Sequence, residues 1–72
     1  MDRATLEDHL AMAEQHIAQG EQHIMRQRGI VAELERGGHD STAARQFLVV
    51  LEQTQAVHLA DRDRVQKELA AL

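Results

Sequence analysis

Apolar residues in the first half of the chain return every seven positions. Leu10, Ile17, Ile24 and Val31 hold one site of the repeat, and Leu6, Ala13, Gly20, Gln27 and Leu34 hold a second. Alternating steps of three and four place both sets on one stripe of a helix. The repeat is visible as words, Glu14-Gln15-His16-Ile17 and Glu21-Gln22-His23-Ile24, with Asp8-His9-Leu10 as a weaker earlier copy. In the second half Ala44, Leu51, His58, Val65 and Leu72 recur in the same way, interleaved with Leu48, Gln55, Arg62 and Leu69. The pattern predicts two helices, about 6–36 and 42–72, each roughly 46 Å long at 1.5 Å per residue.

End signals agree with that division. Thr5-Leu6-Glu7-Asp8 resembles a capping box, and Asp2 competes with Thr5 as N-cap. Arg36 suits a last turn, and Gly37, lacking a Cβ, can take the left-handed conformation that closes a helix. His39-Asp40-Ser41-Thr42 then supplies a loop and a second N-cap, Asp40 or Ser41. Equal helices with a short link predict an all-α antiparallel hairpin, one domain spanning 1–72. Folding at Gly37–Gly38 pairs residues whose numbers total roughly 77, which puts Ile17 near His58 and Arg62. The seam is apolar at its ends and polar in the middle, a device that fixes register at some cost in stability. Gly20 on the seam reads as a point of close approach; Gly29, on the outer face, marks a soft spot.

One seam does not cover all the apolar surface. Ordering 72 residues costs on the order of 110 kcal/mol at about 1.5 kcal/mol each, and a hairpin hides one stripe per helix. Ile30, Val49, Val50, Val57 and Leu59 lie off the seam, and Phe47-Leu48-Val49-Val50-Leu51 is apolar all round a helix. Its flanks, Ala43-Ala44-Arg45-Gln46 and Glu52-Gln53, disfavour a strand there. The economical solution is a homodimer of hairpins, a four-helix bundle held by Leu10, Ile17, Ile24, Val31, Phe47, Leu51, His58 and Val65.

Composition narrows the function. Twelve acidic against eight basic residues give a net charge of −4, which disfavours nucleic acid or an anionic membrane as the main partner. The basic cluster Arg26-Gln27-Arg28, with Arg36 and Arg45, has no aromatic residue beside it for base stacking. With no cysteine, disulfides, zinc ribbons and thiol catalysis are closed. The longest apolar run is far short of a membrane span and the N-terminus has no signal-peptide core, so a cytoplasmic protein is expected.

Histidine is the enriched polar residue. His9, His16 and His23 share one flank of the first helix but stand roughly 10.5 Å apart along it, too far for two to share an ion. No His-Glu-x-x-His or Glu-x-x-His motif occurs. The weak metal candidates are His58 and Asp61, at i and i+3, with His16 approaching Asp61 across the hairpin. Protonating all five histidines would move the formal charge from −4 to +1, which makes pH sensing a second possibility. Catalysis finds little: Gly37-Gly38 ends a helix and is no phosphate loop, and Ser41, His39 and Asp40 are too close in sequence for a triad. No cofactor is expected.

Leu6–Ile24 with its repeated Glu-Gln-His-Ile units, the turn Leu34–Asp40 and the tail His58–Arg64 resemble an uncharacterised family of short two-helix bacterial proteins. That resemblance implies a helical hairpin of bacterial, cytosolic origin and brings no activity with it. The reading that follows is a small non-catalytic interaction or assembly protein, a homodimer that docks an unidentified larger protein. The alternative is a metal- or pH-responsive regulator acting through His16, His23 and His58.

Overall fold

In the computed structural model, which describes residues 2–72, two helices and the turn between them account for almost the whole chain. Helix α1 spans Arg3–Arg36 and α2 spans Thr42–Ala70; there is no strand among the described residues. The Phe47–Leu51 run is helical throughout.

Helix α1 starts three residues before the expected point. Asp2 is its N-cap, with Oδ1 accepting the Thr5 N–H at 2.8 Å, and Thr5 lies inside the first turn. The Leu6 N–H donates to the Asp2 carbonyl at 3.1 Å, so one more helical turn is hydrogen-bonded than a Thr5 cap would allow. At the other end the left-handed residue is Gly38, at φ 71°, and not Gly37, which is right-handed at φ −81°. The His39 N–H returns to the Leu34 carbonyl at 2.9 Å and the Gly38 N–H to Glu35 at 3.2 Å, the paired bonds of a Schellman closure. A Cβ at Gly37 would stand 2.8 Å from Cδ2 of the exposed His39 ring, which would have to turn aside.

Ser41 precedes α2 without capping it through its side chain. Asp40 does that work, accepting from the Thr42 N–H at 2.9 Å and the Thr42 hydroxyl at 2.7 Å. The last turn tightens, with Leu72 N–H bonded to the Leu69 carbonyl and Leu72 exposed, so the seam ends at Leu69.

The helices pack as a hairpin 54 Å long and about 14 Å across. Leu6, Ala13, Ile17, Ile24, Gln27 and Val31 of α1 are buried with Gln55 and Val65 of α2, and Leu10, Leu34, Ala44, Leu48, Leu51, His58 and Leu69 are half-buried. This is the predicted heptad seam. Two glutamines cross it to backbone carbonyls: Gln27 Nε2 donates to Ala44 at 3.0 Å, and Gln55 Nε2 to Ile17 at 2.9 Å. Each joins a side chain of one helix to the main chain of the other, which resists sliding better than apolar contact alone. Gly20 lies under Gln55, so layer partners total 75, two fewer than expected.

No helix is long and apolar enough to cross a membrane among the described residues.

Candidate functional site

The two broad sides of the hairpin differ. On one, Arg28 pairs with Glu52 at 3.2 Å, and Arg45 pairs with Glu35. These contacts neutralise half of the basic cluster that the sequence offered for nucleic acid. An open pocket lined by Glu21, Ile24, Met25, Arg28, Gln55 and Leu59 lies on the same side.

The opposite side is reached from the pocket lined by His9, Met12, Ala13, His16, Asp61 and Arg64. Steps of three and four residues lead from Asp61 and Arg64 back through Val57, Thr54 and Val50 to Phe47, all on one stripe of α2. Matching steps on α1 run His9, Met12, His16, Gln19, His23, Arg26, Ile30. Each helix thus carries a second heptad stripe beside its seam, and the two stripes share a side.

Toward the turn the α2 stripe of this side is apolar and uncovered, beside His23, Arg26 and Ile30 of α1. Phe47 is 53% exposed, Val50 52% and Val57 67%, with Ile30 also exposed. The Thr54 hydroxyl bonds back to the Val50 carbonyl at 2.9 Å, so it makes no demand on a partner. Val49 faces away from this stripe and Met25 belongs to the other side.

Toward the open end the same side carries chemistry. His16 of α1 and His58 of α2 stand with ring centroids 5.0 Å apart, inclined at 42°. Asp61, one turn from His58, accepts from Arg64 Nη2 at 2.6 Å. That hydrogen bond holds the Asp61 carboxyl below the usual carboxylate range, helped by the Arg64 charge and by nearby His9 and His58. The same bond raises the Arg64 guanidinium further, with Glu68 assisting. Among the described residues no group of three or more histidine, aspartate or glutamate side chains converges to hold a metal ion.

Of the residues singled out from sequence, the structure brings His16, His58 and Asp61 to one place. Ile17, Ile24, Val31 and Val65 lie buried in the seam within the chain, with Leu10 and Leu51 at its margins, and Phe47 stands outside it. His23 and His39 are exposed and apart from the pair. Ser41 Oγ accepts from Arg45 Nε at 3.1 Å and Asp40 is committed to Thr42, so both serve the turn. The sequence placed Arg64 beside Asp61 as a solvated ion pair, which the structure shows; it missed the second stripe, although the Phe47, Val50, Thr54, Val57 spacing carried the signal.

Comparison with protein-family models, with curated proteins and with solved structures finds no match. The two-helix part of the resemblance is what the fold supports.

Proposed function

We propose that the chain is a non-catalytic interaction or assembly module that works as a homodimer in the bacterial cytoplasm, with two hairpins joined into a four-helix bundle. The observation that carries this reading is the uncovered stripe Phe47, Val50 and Val57 with Ile30 beside it, at heptad spacing and on one side. Monomeric proteins rarely leave such a stripe in water, and a second copy supplies its own complement. Placing both turns at one end joins apolar stripe to apolar stripe; the opposite placement would set Phe47 against His9 and Asp61. The outer faces would then be left for a larger protein partner.

Solution mass measured by light scattering tests this, with refractive-index detection because the chain has no Trp or Tyr. The expected mass is twice 8.1 kDa, falling to one chain in Phe47→Glu with helicity retained. A wild-type monomer at high micromolar concentration would refute the dimer.

A further inference from the structure

We propose that His16 and His58 form a two-imidazole site for a borderline divalent transition metal, Zn²⁺, Ni²⁺ or Cu²⁺, which ties α1 to α2. Within one helix the histidines are too far apart to share an ion, but folding brings one from each helix together. Their ring centroids are 5.0 Å apart. Two imidazoles on one tetrahedral ion, each nitrogen about 2.0–2.1 Å from the metal, have ring centres roughly 5 Å apart, so the observed spacing is the right size for rings that turn their nitrogens toward a shared ion.

The surroundings suit a cation of this class. His16 is exposed and His58 half-buried, so an ion and its waters reach both. The neighbouring pocket of about 270 Å³ leaves room for them. Asp61 supplies negative charge one turn from His58, while Arg64 and His9 face the same pocket as positive or neutral groups. Without thiolates, and with imidazole nitrogen as the donor, the site selects Zn²⁺, Ni²⁺ or Cu²⁺ over Mg²⁺ and Ca²⁺. Among the described residues no third histidine, aspartate or glutamate joins the pair, so water fills the remaining positions on a bound ion and the metal exchanges readily. Both ligands belong to one chain, so the site does not depend on the dimer.

Urea unfolding followed by far-ultraviolet circular dichroism, at fixed protein concentration with ZnCl₂ or NiCl₂ against MgCl₂, tests the proposal. An ion that binds only the folded chain raises the folded-to-unfolded ratio about a hundredfold when its concentration is about 100 times the dissociation constant. That rise is expected in the wild type and in His23→Gln, and is lost in His16→Gln and in His58→Gln. His16→Gln changes an exposed position, and its metal-free spectrum verifies that it folds. Repeating the titration on Phe47→Glu separates the site from the dimer: the metal effect persists there whether or not the wild type dimerises. Absence of a Zn²⁺ or Ni²⁺ effect in the wild type overturns the proposal. So does an undiminished effect in His16→Gln, or one that requires His23 and is accompanied by a rise in mass.

Discussion

Two glycines in α1 receive opposite predictions for the same substitution. In a helix interior, replacing Gly by Ala gains about 0.8–1.0 kcal/mol in propensity, because glycine loses the most backbone freedom on folding. At Gly29 a Cβ would meet nothing within 4 Å, so Gly29→Ala stabilises by about 1 kcal/mol. At Gly20 the new methyl would overlap the Gln55 side-chain oxygen and stand 2.8 Å from its Cδ. Gln55 must swing away, and its 2.9 Å bond to the Ile17 carbonyl goes with it. Losing that bond costs about 1 kcal/mol net and refitting the seam about 1–3 kcal/mol, so Gly20→Ala destabilises by about 1–3 kcal/mol after the propensity gain. The two variants differ by about 2–4 kcal/mol, read from urea midpoints by circular dichroism at one protein concentration. Adding Gln55→Ala removes the obstacle, so Gly20→Ala shows its propensity gain in that background and the cycle shows a coupling of about 2–4 kcal/mol. Equal stabilisation by Gly20→Ala and Gly29→Ala would refute the reasoning.

Acid and the placement of the turns give two further tests. The Thr5 backbone N–H lowers Asp2, the Thr42 hydroxyl lowers Asp40 and the Arg64 guanidinium lowers Asp61. Carboxyls lowered by folding contribute stability that is complete above their unfolded value, about 3.9, and is lost as pH falls through the folded values. Stability should therefore decline below about pH 4, with a shallower decline in Asp2→Asn and Asp40→Asn; identical acid profiles in all three proteins would contradict the capping roles. The chain has no cysteine, so His39→Cys carries a single spin label at the turn. Turns at one end of the dimer hold the two labels within about the width of a four-helix bundle, roughly 20–25 Å. Turns at opposite ends hold them near the 54 Å length of the hairpin, and that longer distance would exclude the arrangement proposed.

Heptad spacing and the glycine pair made the hairpin legible, because both act locally and repeat. Boundaries were less legible where two residues compete for one role. Asp2 and Thr5 are both good caps, and the one that permits an extra hydrogen-bonded turn prevails. Gly37 and Gly38 are equally free, and the Schellman bonds assign the left-handed position to the second. The sequence read Gly20 as a place where a neighbouring backbone comes close; what fills the space is the Gln55 amide. Pairing His16 with His58 depends on register across the hairpin. A shift of two in the pairing total moves side chains by about half a turn, so the contact could be read only after the helices were placed.

The polar centre of the seam gives the two proposed attachments separate tasks. Gln27 and Gln55 hold register, but each occupies a layer that an apolar residue would bind more strongly, and Gln55 Oε1 is buried without a partner. Gln27 lies toward the turn, where the chain itself joins the helices, and Gln55 nearer the middle. A second copy on Phe47, Val50 and Val57 reinforces the stretch from the turn to the middle of α2. A metal on His16 and His58 acts beyond Gln55, on the half that the turn restrains least and that would open first. Dimerisation and metal binding would then favour the same closed hairpin from different ends.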